Sequence, residues 1–185
     1  MSWPPPAEGS RLSEVVVADA GPLIGLARID RLSLLTALYG PVVIPESVRA
    51  ELGLGLAGDR PGAKVLSTAL ASGAIQTRAM AQGHETALAG LRLLLDAGES
   101  AAILLAEQTG CRFLLIAERR GRQIAQRRGI PVVGLAGVLL AAKRFALLES
   151  VGPVLADLSR QGYRFAGGLV AEVLRLAGET RQPGD

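Results

Sequence analysis

Apolar residues along the chain fall into two alternating patterns. Short unbroken runs occur at 14–18 (EVVVA), 41–45 (PVVIP), 112–117 (RFLLIA) and 130–134 (IPVVG), with a weaker one at 74–77 (AIQT). Runs of this length read as buried strands. Between them apolar positions recur at helical spacing. The stretch 22–38 carries Leu23, Leu26, Ile29, Leu34, Leu35 and Leu38 and is ended by Gly40 and Pro41. Pro45 opens a short helix at 46–52 that Gly53 closes. Further helices are predicted at 63–72, at 85–96 with a break at Gly98, at 99–109 ended by Gly110, and at 119–128. Three more finish the chain at 135–148, 152–161 and 168–177, while 53–62 and 78–84 read as loops.

Continuous apolar strands alternating with helices predict an α/β fold, a parallel sheet covered on both faces. No repeat or composition shift divides the sequence. The expectation is one domain over 14–179, preceded by a flexible leader at 1–13 and followed by a tail at 180–185.

Composition sharpens this. A chain of 185 residues with 49% hydrophobic side chains can bury a full core and is not a disordered protein. Aromatics are only 3%, so aliphatic side chains must do the packing, and a stacking platform for unpaired bases is disfavoured. Cys111 is the sole cysteine, which excludes a disulfide and a thiolate metal cluster, and its flank GCRFLLI predicts a buried structural thiol. The opening MSWPPPAEGSRLSE lacks the apolar core of a signal peptide, and no apolar run reaches bilayer length. The expected location is the cytoplasm, with no membrane contact.

Carboxylates then stand out by position. In open parallel sheets ligands bind at the carboxyl ends of the strands. Asp19 ends the first strand and Glu118 follows RFLLIA. Glu99 lies in the first turn of the helix before that strand, and Glu51 in the helix after PVVIP. Structural roles compete with chemistry at three of them. Asp19 suits a helix cap, Asp96 and Glu99 form a capping pair, and Glu118 beside Arg119 and Arg120 suits a surface ion pair. Glu51 reads differently: in the last turn before Gly53 the helix dipole disfavours its charge, and Val48 and Leu52 place it beside the buried face. Four converging carboxylates stay ionised together only around a cation. All-oxygen ligands point to Mg²⁺ or Mn²⁺, ions that catalyse phosphodiester hydrolysis.

Four stretches, VVVADAGPLIGLARI, VVIPESVRAEL, LDAGESAAILLA and LLIAERRGRQIA, in this order and spacing, resemble the PIN-domain family. The similarity is strongest to a prokaryotic branch of PIN-like, toxin-type proteins with DTSPLI after the first strand and GEAEAI and IDDRRGR later. The tail from Gly137 to Glu179 resembles that branch too, so the likeness spans about 14–179. It implies a three-layer α/β/α sandwich with a central parallel sheet and a Mg²⁺- or Mn²⁺-dependent endoribonuclease. It also implies an RNA substrate, a small antitoxin protein as partner, and dimerisation through the apolar C-terminal helices. The family's acidic site falls on Asp19, Glu51, Glu99 and Glu118, with Asp19, Glu99 and Glu118 as metal ligands. Two departures stand in this chain: Ala20 and Gly21 replace the branch's Thr and Ser, and Ala117–Glu118 replaces Asp–Asp. They favour the alternative of a catalytically weakened module that binds RNA or a protein without cutting.

The net charge of +3 decides little, but 18 of the 20 basic residues are Arg, whose planar fork suits phosphates. Five of them crowd 119–128. Arg119, Arg120 and Arg122 next to Glu118 are candidate nucleic-acid contacts, against the reading of a solvated helix face. His84 is the only histidine and has no evident nucleophile to serve, and there is no phosphate loop ending in Gly-Lys-Ser/Thr. A phosphoacceptor domain using Asp19 would want a Lys just after a strand, and Lys64 and Lys143 do not sit there.

Overall fold

The computed structural model describes residues 14–56 and 60–179. The leader at 1–13, the tail at 180–185 and part of the 53–62 loop therefore lie outside the described residues. Five parallel strands form the sheet: β1 (Val16–Ala18), β2 (Val42–Pro45), β3 (Ile75–Arg78), β4 (Phe113–Leu115) and β5 (Val132–Val133), in the order β3-β2-β1-β4-β5. Register is fixed by Val17 pairing with Val43 on one side and with Leu114 on the other.

Around the sheet, ten helices occur among the described residues. They are α1 (Ala20–Arg28), α2 (Ser33–Tyr39), α3 (Glu46–Leu56), α4 (Ala63–Ala71) and α5 (Glu85–Arg92), followed by α6 (Ala97–Thr109), α7 (Arg119–Arg127), α8 (Leu135–Arg144), α9 (Gly152–Arg160) and α10 (Leu169–Leu176). Side chains alternate across the strands as the pleat requires. Val16, Ala18, Val42, Ile44, Phe113 and Leu115 pack with α1, α2, α4 and α8–α10 on one face. Val17, Val43, Leu114 and Ile116 pack with α6 and the inner sides of α5 and α7 on the other. The parallel sheet covered on both faces, expected from the alternating pattern, is observed, and with it the α/β/α sandwich that the PIN resemblance implies. Cys111 is buried, as its apolar flank predicted, and burial pushes its thiol up to about 12.

Several boundaries differ from the sequence reading. The helix expected at 22–38 is two helices, because Asp30 adopts a left-handed φ of 54° and Arg31 N–H closes on Leu26 C=O at 2.8 Å. Aspartate is one of the few residues that tolerates this backbone. Gly53 does not end α3, which runs on to Leu56. Glu51 is thus in mid-helix, and the helix-dipole reason given for it does not hold. Gly98 does not break a helix either. Asp96 caps α6 by accepting from Glu99 N–H at 2.8 Å, so Gly98 falls inside its first turn.

Strand order reverses beside β1. The chain runs outward through β2 and β3, then crosses back over the sheet through α5 and α6 to lay β4 on the other side of β1. Such a switch point opens a crevice at the carboxyl ends of the two central strands. Asp19 and Glu118 are the residues that leave this edge.

Candidate active site

Asp19 follows β1 directly. Its backbone N–H donates to Leu115 C=O at 2.9 Å, which extends the β1–β4 ladder and fixes the residue at the switch point. It occupies the N-cap position of α1, yet its side chain makes no capping bond. Capping, the structural role open to it from sequence, is therefore not what holds this carboxylate. Asp19 is only 6% exposed. Burial, against a bond from the Ala20 backbone and together with Glu51, Glu99 and Asp96, raises its carboxyl to about 7.

Glycines let the neighbours close in. A Cβ on Gly98 would lie 2.9 Å from Glu51 Oε2, 3.4 Å from Asp19 Oδ1 and 3.5 Å from Asp96 Oδ1. Three carboxylates from α1, α3 and the start of α6 thus meet around one backbone position that has no side chain. A Cβ on Gly121, in α7, would lie 2.9 Å from Glu99 Oε1. Glu99 is buried, and that Oε1 has no hydrogen-bond partner. Its carboxyl is raised by burial, by Asp96 and then by Glu118 and Glu51, despite a hydrogen bond that it accepts from the Asp96 backbone N–H. Glu51 is more exposed, and is raised by partial burial and by Asp96. Glu118 stands exposed as the N-cap residue of α7, with no side-chain capping bond, within electrostatic reach of Glu99.

All four acidic residues singled out from sequence therefore stand along one edge of the sheet. Asp19 and Glu51 come together around Gly98, Glu99 stands against Gly121 within electrostatic reach of both, and Glu118 lies at the rim. Asp96 is a fifth member that the sequence reading took only as a cap. Both roles are real: one oxygen caps α6 while the charge acts on Asp19, Glu51 and Glu99. The signal for it was the Asp-x-x-Glu spacing itself, which puts both residues at one helix start.

Among the described residues no three acidic, His or Cys side chains form a closed, preformed ligand set. The carboxylates line the edge rather than aim at one point. The arrangement nonetheless fits a divalent cation. A buried carboxylate oxygen without a partner, a buried uncapped aspartate and repulsion among all five acids each find their counterpart in a hard cation bound by oxygen.

The basic run of α7 divides by face. Arg119 and Arg120 are exposed just beyond Glu118. Arg122 is half-buried and donates through Nη1 to Ala117 C=O. Arg128, past the helix end, is committed to Glu107 by paired bonds of 2.6 and 2.8 Å. Only the first part of the run borders the acidic edge. His84 sits at the N-cap position of α5.

An α/β/α domain with acidic side chains gathered where the strand order reverses has the form of a nuclease-like module. A family model described as a PIN domain matches residues 15–179, and the chain belongs to the PIN-domain family, a nuclease-like module. No significant match to a curated protein or to a solved structure was found. Among the described residues no helix is long and apolar enough to cross a membrane.

Proposed function

We propose that this PIN domain is a divalent-metal-dependent endoribonuclease. The observation that carries the reading is the carboxylate group at the switch point, above all buried Asp19 and the partnerless Oε1 of Glu99. Asp19, Glu99 and Glu118 would hold Mg²⁺ or Mn²⁺, and Glu51 would complete the cluster or orient water. When bound, such an ion makes a ligated water more acidic and neutralises charge at phosphorus. Asp96 fixes the first turn of α6 and so sets where Glu99 stands. Arg119, Arg120 and Arg122 flank the acids with positive charge and would draw the RNA backbone to an edge that would otherwise repel it.

The test is a Mn²⁺ titration followed by melting temperature, in the wild type and in Asp19→Asn, together with cleavage of single-stranded RNA. Ion at a hundred times its dissociation constant should raise the wild-type melting temperature by roughly 5–10 °C. Asp19→Asn should lose both this shift and cleavage while keeping its fold. Equal cleavage in the variant overturns the assignment. A Mn²⁺ shift without cleavage would favour the non-cutting module, a reading to which Ala20, Gly21 and Ala117 lend support.

The reading extends to a toxin neutralised by a small antitoxin, supported by the likeness to the toxin-type branch. Exposed Phe145, Leu147 and Leu176 on and beside α8 and α10 favour a protein partner or a second copy on that face. Induced expression should arrest growth, and Asp19→Asn should relieve the arrest.

A further inference from the structure

Tyr163 has no part in the chemistry described so far, yet it closes one wall of the same crevice. It follows α9, and its N–H donates to Leu158 C=O at 2.9 Å, holding the chain as it leaves that helix. The half-buried ring lies over Gly25 of α1. A Cβ there would stand 3.0 Å from Tyr163 Cδ2, 3.3 Å from its Cε2 and 3.5 Å from Leu135 Cδ2. Phe165 packs against the ring with centroids 5.0 Å apart.

A series of close approaches links this wall to the acids. A Cβ on Gly134, next to Leu135, would lie 3.7 Å from Arg122 Nη1. That nitrogen bonds Ala117 C=O. The Ala117 methyl would lie 3.4 Å from a Cβ on Gly21, and Asp19 Oδ2 would lie 3.8 Å from the same point. Arg122, Glu118 and Asp19 all act electrostatically on the phenol. Burial pushes it up to about 12, against the opposing charge of Arg122 and with Glu118 and Asp19 adding to the rise, so it stays a neutral O–H donor at any working pH. No hydrogen bond to a described residue engages its hydroxyl.

A phosphodiester brought to an edge of carboxylates needs donors, and carboxylates in their charged form can only accept. Ala20 and Gly21 offer no side-chain hydroxyl there. The ring carbons of Tyr163 are covered by Gly25 and Phe165, so the hydroxyl rather than the ring face is what it can present to a ligand. We propose that Tyr163 is a substrate-binding residue of this site. Its phenol O–H, together with the N–H groups of Arg122 that Ala117 does not take, donates to a non-bridging oxygen of the phosphodiester. This rests on the ribonuclease reading above.

The experiment compares full-length wild type with Tyr163→Phe, which removes one oxygen and keeps the packed ring. Binding of a fluorescein-labelled, uncleavable 2′-O-methyl oligoribonucleotide is followed by anisotropy, and the Mn²⁺-induced melting shift is measured beside it. Tyr163→Phe should bind about tenfold more weakly, the usual effect of losing a hydrogen bond to a charged group. Its melting temperature and Mn²⁺ shift should match the wild type. Equal binding by the two proteins overturns the role of Tyr163 and leaves the ribonuclease reading intact. Weaker binding with a lost Mn²⁺ shift would also overturn it, because the substitution would then act through the acids. No binding by the wild type overturns the RNA reading and this proposal with it.

Discussion

At the scale of single residues, Asp19 carries the clearest consequence. Its carboxyl rises from 3.8 to about 7 on folding, through burial and then its acidic neighbours. Between those two values the folded chain holds a proton that the unfolded chain has released. Stability of metal-free protein therefore falls as pH rises through this window, by up to about 1.4 kcal/mol per pH unit. Protein treated with EDTA should melt higher at pH 5 than at pH 8. Asp19→Asn, which has no charge to bury, should flatten that dependence and melt above the wild type at pH 8. Parallel melting curves for the two proteins between pH 5 and pH 8 would rule out Asp19 as the source. The sequence disclosed this residue because a carboxylate ends a core strand, and strand ends are where such folds bind ligands. It did not disclose Asp96, whose capping role explained it fully in one dimension. Only the approach of α3 and α1 to the same helix start shows its charge acting on three other acids.

At the scale of elements, the start of α6 shows how backbone shape makes room for chemistry. Glycine read along the sequence as a helix breaker, so Gly98 seemed to separate two helices. In the fold it lies within α6. The space a side chain would take there is filled by oxygens of Glu51, Asp19 and Asp96 arriving from elsewhere. The end of α3 misled in the same way: Gly53 lies inside a helix that continues to Leu56. Local propensity is outweighed at both places by what packs against the helix. This gives Gly98→Ala an uncommon signature. Alanine favours helix over glycine by about 0.8–1.0 kcal/mol. Its Cβ would meet Glu51 Oε2 at 2.9 Å, the far end of a flexible side chain that can swing away. The fold should keep its melting temperature or gain slightly, while Mn²⁺ stabilisation and RNA cleavage fall at least several-fold. A large loss of melting temperature would show that Glu51 cannot move and that the cluster is rigid. Gly121→Ala should differ by lowering the melting temperature as well as Mn²⁺ stabilisation, because its Cβ would lie 2.6 Å from Cδ1 of fully buried Ile116 and 2.9 Å from Glu99 Oε1.

At the scale of the whole molecule, the acidic edge depends on elements from one end of the chain and its Tyr163 wall on the other. Alternation of strands and helices was enough to give a parallel sheet covered on both faces. What ties the ends of the C-terminal helices to one another was not legible, because it rests on one carboxylate meeting groups 27 to 36 residues away. Glu179 accepts from Lys143 Nζ at 2.6 Å, Ser150 Oγ at 2.8 Å, and the N–H groups of Val151 and Gly152 at 2.7 and 2.8 Å. It therefore ties the chain after α10 to the end of α8 and to the start of α9, the helix that leads into Tyr163. Burial pushes this carboxyl up, but the four donors outweigh burial and bring it from 4.5 down to about 2. The folded state thus holds the ionised form more strongly than the unfolded state does. The resulting stability is complete above about 4.5 and is lost as pH falls toward 2. Glu179→Gln removes the charge and keeps the shape. With charged hydrogen bonds worth about 2 kcal/mol, its melting temperature at pH 6 should drop by roughly 4–8 °C. At pH 3.5 the gap to the wild type should be visibly smaller, since the unfolded wild-type chain then takes up a proton on Glu179 that the folded carboxylate does not. A gap that stays constant between the two pH values would mean that the clamp acts through packing and not through ionisation. The Mn²⁺ shift should survive the substitution, because the acids stand on α1, α3, α6 and α7. Oligoribonucleotide binding should weaken if a loosened α9 lets Tyr163 drift from Gly25, which separates a wall that is held from afar from a cluster that holds itself.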